Sequence, residues 1–272
     1  MTECVRTASP AEVALPGHRW TLKKVIKLVE QQTGSKISRS KARTMLQQAG
    51  LSWKKCKKLL AKANPEQRAA YAAQLEDLFV AMCADKARLI YIDEVHLHQD
   101  MDLGYSWSTK GQADWVPSQS PGLSAKLNWY GAYDFTQGQC FLWQNGRCNS
   151  DNTVAFLQAL SEWLGESKQT VYIIMDGAPW HRSHLVATTA DQLGVELIRL
   201  PAYSPDLNPI EGLWKWMREE VTQRYCHPSL SALADACHAF IERINLDPNR
   251  LIQRLWPKFD LDPDYEKLLV SN

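Results

Sequence analysis

"ARLIYIDEVHLHQ", residues 87–99, is the stretch on which the reading of the chain turns. It is a short apolar run rich in Ile, Val and Tyr, which predicts a β-strand. Two carboxylates, Asp93 and Glu94, sit inside it. A strand carboxylate costs stability when buried unpaired, so each is either an exposed end residue or a residue with a use. Adjacent strand residues point to opposite faces, so only one of the two can enter a given site.

The pattern continues outward. "KLNWYGAYDF" (126–135) and "QCFLWQNG" (139–146) read as two strands around a turn at Thr136-Gln137-Gly138. "SDNTVAFLQALSEWLGE" (150–166) reads as a helix with Val154, Leu157, Leu160 and Leu164 on one stripe. "TVYIIMDGAPWH" (170–181) is a buried strand ending at Asp176, "HLVATTADQLG" (184–194) a helix, and "VELIRL" (195–200) a further strand. "LPAYSPDLNPIEGLWKWMREE" (200–220) then enters a final long helix. Strands first, then alternating helix and strand, predict a mixed α/β sheet with helices on it.

Functional groups of open α/β sheets gather at strand ends and the adjacent helix starts. Asp93, Asp176 and Glu211 occupy such places. Glu211 also has a plainer reading: Asn208 caps, Pro209 takes the first helical position, and Glu211 stands three after the cap, as in a capping box. A reciprocal cap would spend its carboxylate on a backbone N–H. The alternative is that the prolines stiffen the approach and hold Glu211 toward the two aspartates, ionised by the helix N-terminus.

The chain begins differently. Its formal net charge of +1 hides an asymmetry: residues 1–70 carry 15 Lys/Arg against 4 Asp/Glu, and residues 71–272 carry 16 against 26. A basic head suits a polyanion such as nucleic acid. "RWTLKKVIKLVEQQTG" (19–34) reads as a helix from Thr21 to Gly34, with Leu22, Val25, Ile26 and Val29 on one face. "SRSKARTMLQQAG" (38–50) gives a second, capped by Ser38 or Ser40, with Ala42, Met45, Leu46 and Ala49 facing its partner. Two short helices joined by a tight turn match a helix-turn-helix. Arg39, Lys41 and Arg43 crowd the N-terminal end of the second, where base edges are reached. Lys54, Lys55, Lys57 and Lys58 form a cluster suited to a phosphate backbone. A solvated basic face is the plainer alternative. The expected organisation is a helix-turn-helix domain over 1–63, a connecting helix over 64–86, with Asn64 and Gln67 as its capping box, and an α/β domain over 87–272.

Several classes are set aside. No apolar run approaches the roughly 18 residues needed to span a bilayer, and the first residues lack the apolar core of a signal peptide, so a cytoplasmic protein is expected. Seven cysteines form no C-x-x-C pair, which predicts reduced thiols. His96 with His98, and His181 with His184, lack the thiol cluster of a structural zinc site. No Gly-rich phosphate loop implies ATP.

"YIDEVHLH", "IMDGAPWHRS" and "LPAYSPDLNPIEGLW" resemble the three acidic motifs of mariner-type transposases, and most of all those of the bacterial insertion-sequence-630 family. The 34 residues between Asp176 and Glu211 match that family's spacing, and "GYSWSTKGQ" (104–112) resembles a further segment of it. The likeness runs from about residue 19 to about residue 240. It implies a ribonuclease-H-like, retroviral-integrase-like catalytic core preceded by a small all-α winged helix-turn-helix domain. There are two departures: the family usually has Asn where Gly177 stands, and usually carries another helix-turn-helix upstream of the one seen here.

The resemblance implies a DNA transposase that binds transposon ends, hydrolyses phosphodiesters and transfers strands. Two divalent cations roughly 3.5–4 Å apart can activate the nucleophile and stabilise the leaving oxygen, and Mg²⁺ (or Mn²⁺) takes carboxylate ligands. Asp93 would bridge both ions, Asp176 hold one and Glu211 the other. His181 matches a family position after the second aspartate, either orienting water or phosphate or making a helix-start hydrogen bond. Lys215 and Arg218 share the face of Glu211, as phosphate holders or as a solvated face; Lys110 is a weaker candidate. Trp214 and Trp216 point to different sides of the last helix, one to the core and the other open to stacking on DNA. The implied partners are terminal inverted repeats and target DNA, with a TA dinucleotide as target, and a second copy of the chain. Rival readings are a non-catalytic repressor derived from such an enzyme and another ribonuclease-H-like nuclease.

Overall fold

The computed structural model describes residues 1–56 and 59–270 and divides into two compact units, Met1–Lys58 and Leu59–Asn272. The first unit holds α1 (Thr2–Thr7), α2 (Leu22–Thr33) and α3 (Arg39–Gln48). Thr21 caps α2 by accepting from Lys24 N at 3.4 Å, and Gly34 ends it at φ +67°, a left-handed conformation that glycine adopts without strain. Ser38, not Ser40, caps α3, accepting from Lys41 N at 3.1 Å. Val25, Leu28 and Val29 of α2 are buried, as is Ala42 of α3. No strand, and so no wing hairpin, occurs among the described residues of this unit.

The second unit begins with α4 (Pro65–Cys83), followed by β1 (Ala87–His98), β2 (Lys126–Asp134), β3 (Gln139–Asn145), α5 (Ser150–Leu164), β4 (Thr170–Met175), α6 (His184–Leu193) and β5 (Val195–Arg199). Then come α7 (Ile210–Met217), α8 (Leu230–Asn245), α9 (Pro248–Arg254) and α10 (Pro263–Val270). The sheet order is β3-β2-β1-β4-β5. β1 pairs antiparallel with β2 and parallel with β4; β2–β3 is antiparallel and β4–β5 parallel.

Strand alternation sorts β1 between two cores. Leu89, Tyr91, Val95 and Leu97 join one with residues of α4, α7 and α8. Ile90 and Ile92 join the other with α5 and Val186 of α6. A five-stranded mixed sheet covered on both faces is the ribonuclease-H-like core that the motifs imply.

Two expectations change. The helix given to a connector over 64–86 is instead part of the second unit: Tyr71, Leu75 and Leu78 of α4 are buried in the core with β1. Asn64 caps it through Gln67 N at 3.0 Å. The final long helix is short, because α7 runs into a π-helical turn at Arg218–Thr222. There Asp102 N donates to Thr222 O and Arg224 N to Asp102 O. This long-range pairing overrides local helix propensity.

Candidate active site

β1, the end of β4 and the start of α7 bring Asp93, Asp176 and Glu211 to the lining of one cleft of about 740 Å³. Each is placed by a different device.

Asp93 lies on the α7 side of β1. The indole Nε1 of Trp214 donates to its Oδ2 at 2.9 Å. Trp214 reaches it because the residue paired with Asp93 on β2 is Gly131. A Cβ on Gly131 would stand 2.1 Å from Cη2 of Trp214. Burial, reinforced by the charge of Glu211 and opposed by the Trp214 bond, pushes the Asp93 carboxyl up to about 7.

Asp176 follows β4 directly and is half exposed. Its Oδ1 accepts from Ala178 N at 2.9 Å and from Nδ1 of His181 at 2.8 Å. His181 is buried, and its Nε2 reaches Oε1 of Glu94 at 3.0 Å. Trp180 Nε1 donates to the same oxygen at 2.9 Å. Burial lowers the imidazole, but its bonds to Asp176 and Glu94, together with their charges, outweigh this and raise it to about 9. The bond from His181, with Ala178 N and the charge of Arg182, holds Asp176 below the usual carboxylate range against its partial burial. Glu94, the competitor of Asp93 in the sequence, therefore faces away from Trp214 and acts on Asp176 through His181.

Glu211 is not the third residue of a capping box. α7 starts at Ile210 with Pro209 at the cap, and no described hydrogen bond uses the Glu211 carboxylate. Asn208 serves the fold in another way. Its Nδ2 donates to Ile92 O at 3.2 Å and its Oδ1 accepts from Ile210 N at 3.4 Å. It ties the helix start to β1 one residue before Asp93. Asp206 fixes the same turn from outside, paired with the buried Arg68 of α4 at 3.0 and 3.1 Å. Burial, then the charge of Asp176, raises the Glu211 carboxyl, with Arg218 opposing.

A family model described as "DDE superfamily endonuclease" matches residues 88–234, more than half of the chain and all three acids. The chain belongs to this family. A "Winged helix-turn helix" model matches residues 16–75, from ahead of α2 into α4. The chain is 24% identical over 244 residues to the insertion element IS630 uncharacterized 39 kDa protein of Shigella sonnei, covering 88% of this chain and 69% of that one. Solved structures of similar fold include a pre-cleavage Mos1 transpososome (TM-score 0.61, 17% identity) and the mariner Mos1 paired end complex with Mg (TM-score 0.63, 17% identity). In both cases 94% of this chain and 79% of the other are covered.

The other candidates of this DDE-family chain fall in several places. Lys215 is exposed and pairs with Glu219 at 3.8 Å; Arg218 donates to His96 O at 3.2 Å; neither lines the cleft. Lys110 lies in an exposed loop. Trp214 and Trp216 are both buried, Trp216 against Phe240 and Arg254, so neither is open to DNA stacking. Arg39, Lys41, Arg43, Lys54 and Lys55 are exposed in the first unit, while Lys57 and Lys58 lie outside the described residues. Among the described residues no helix is long and apolar enough to cross a membrane, and all seven cysteines are free.

Sequence reasoning missed the supports. Gly131 carried a signal, since glycine inside a strand marks close approach. The His181–Glu94 link carried none, because it joins residues 87 positions apart. Among the described residues no group of three or more His, Cys, Asp and Glu forms a ready metal cage. The donor set nevertheless fits a hard cation: three carboxylates share a cleft, and two of them are raised by burial and mutual charge, a state that positive charge relieves.

Proposed function

We propose that this chain is a DNA transposase. Its basic first unit binds the ends of a mobile element through α3 and the lysines beyond it. Its second unit cleaves phosphodiesters and transfers the freed 3′-end to target DNA. The observation that carries this reading is the meeting of Asp93, Asp176 and Glu211 in one cleft. The likeness to Mos1 complexes with Mg and Mn supports divalent metal use, and membership of the endonuclease family supports the chemistry.

Asp93, Asp176 and Glu211 would hold two Mg²⁺ or Mn²⁺ ions. When bound, the ions acidify water and neutralise charge at the phosphate. Mg²⁺ keeps several waters and needs few protein ligands, so a shared cleft suffices in place of a cage. Trp214 fixes one oxygen of Asp93, and His181 with Ala178 fixes one oxygen of Asp176. The other oxygen of Asp176 has no described hydrogen-bond partner. A cation held there would favour the ionised form of Asp93. Asn208 holds Glu211 at its distance from β1. Joining two ends takes a second copy of the chain, with TA as the target.

The test is purified protein with end-sequence duplex and Mg²⁺ or Mn²⁺. The expected result is nicking at the element end, reduced by about 10³-fold or more in Asp93→Asn, Asp176→Asn and Glu211→Gln proteins. Unchanged cleavage in these variants would overturn the assignment.

A further inference from the structure

Cations also line the cleft. Arg182, in the 3-10 turn that follows Asp176, and Arg199, the last residue of β5, both line it. Strand register sets Arg199 beside Met175, the residue before Asp176. Lys62 stands at the rim, with Nζ 5.6 Å from the ring centre of Tyr203, another lining residue. Both guanidinium groups are exposed. Neither takes part in an ion pair among the described residues. In the same unit Arg68, Arg88, Arg224, Arg243 and Arg254 each have a carboxylate partner. Residues 71–272 hold 26 Asp/Glu against 16 Lys/Arg, so partners are not scarce. Of the five arginines of this unit with no ion pair among the described residues (Arg147, Arg182, Arg199, Arg218 and Arg250), Arg182 and Arg199 line the cleft that gathers three carboxylates.

We propose that Arg182 and Arg199, with Lys62 at the rim, clamp the DNA phosphates that flank the bond to be cut. The proposal rests on the reading of this cleft as a DNA-cleaving site. A guanidinium offers a planar fork of donors that matches two phosphate oxygens. The cations and the carboxylates that line the cleft serve different phosphates. The arginines hold flanking phosphates by direct charge, and the carboxylates accept the reacting phosphate when their own charge is balanced. The clamp also replaces Lys215 and Arg218, which the sequence offered for this role and which lie off the cleft lining.

The test measures binding without cleavage, using the full chain, a fluorescent duplex of about 20 bp and Ca²⁺ in place of Mg²⁺. Anisotropy titrations between about 50 and 200 mM salt compare the wild-type protein, Arg182→Gln/Arg199→Gln, Arg182→Lys/Arg199→Lys and a Lys215→Gln control. Each phosphate contact contributes about 0.9 to the slope of log affinity against log salt. The Gln pair is expected to lower the slope by about 1.8 and weaken binding about 10- to 100-fold. The Lys pair and the control keep the wild-type slope. A wild-type slope and affinity in the Gln pair, or equal loss in the charge-preserving Lys pair, overturns the clamp. No cut is read, so the transposase reading fails separately, if wild-type protein leaves end-sequence DNA intact in Mg²⁺ and Mn²⁺.

Discussion

Asp93 lies in β1 and Asp176 directly follows its parallel neighbour β4; both line the same cleft, yet they are held in opposite ways. Asp93 has a dry support: an indole packed over a glycine donates one hydrogen bond, and burial with a neighbouring carboxylate leaves its carboxyl near half-protonation at neutral pH. Asp176 has a charged support: a buried imidazole bridges it to Glu94 and keeps it ionised. The first arrangement makes the ionised carboxylate unfavourable unless positive charge stands beside it. The second fixes a permanent anion in place. On the proposed reading, a cleft built from one of each would hold a defined carboxylate before metal enters and gain another on loading.

The charged support should be the costlier to break. His181→Leu leaves Glu94 and Asp176 without the group between them, and removing one member of a buried ionic network costs about 3–5 kcal/mol. Asp176 is half exposed, so the lower end of that range is expected in urea unfolding of metal-free protein. A loss below about 1 kcal/mol would mean the bridge contributes little and the contrast is wrong.

Replacing the acids themselves tests the signs. The folded-state pKa of Asp93 is raised, to about 7. Its contribution is fully present below its unfolded pKa near 3.8 and is lost as pH rises through about 7. Asp93→Asn should therefore stabilise the metal-free protein at pH 8 by up to about 4 kcal/mol, and by almost nothing near pH 3. Asp176 has a depressed pKa, so its contribution is present above the unfolded value and lost as pH falls through the folded one. Asp176→Asn should destabilise at pH 8, and the loss should vanish in acid. Thermal melts of both proteins across this range, giving shifts of the same sign, would dissolve the distinction.

Gly131→Ala attacks the dry support alone. The new methyl would meet the Trp214 ring at 2.1 Å, and overpacking of this kind costs about 1–3 kcal/mol. With Trp214 displaced, Asp93 loses its one described side-chain donor. Metal-dependent nicking should fall more than stability does, and unchanged nicking would show that the indole does not position Asp93.

This contrast was half legible in the sequence. Apolar β-branched runs marked the strands, and strand alternation separated Asp93 from Glu94 before any coordinates. What Glu94 does instead was not legible, because its partners Trp180 and His181 arrive from another strand's end. Both tryptophans of α7 are buried since the sheet covers one side and α8 with α9 the other, an enclosure that helical periodicity alone does not reveal. α4 read as a connector because it lies between a basic head and an acidic body. Its buried Tyr71, Leu75 and Leu78 follow helical spacing, but their partner surface on β1 appears only in the fold. Asp206 looked like part of a proline-rich signature and is the partner of a buried arginine 138 residues away.

The smallest effect is expected at Gly177, where the resemblance read from the sequence implies Asn. A Cβ there meets nothing within 4 Å, and the backbone is not in the left-handed region. Neither crowding nor conformation therefore demands glycine. Asp176 is already held by His181 and by Ala178 N, so an added amide has nothing left to fix. Gly177→Asn should change stability by less than about 0.5 kcal/mol, as exposed substitutions usually do, and leave the rate of nicking within about twofold. A rise of about tenfold or more would correspond to roughly 1.4 kcal/mol of missing support. The hold on Asp176 would then be incomplete in this chain, and the two aspartates would differ less than their surroundings suggest.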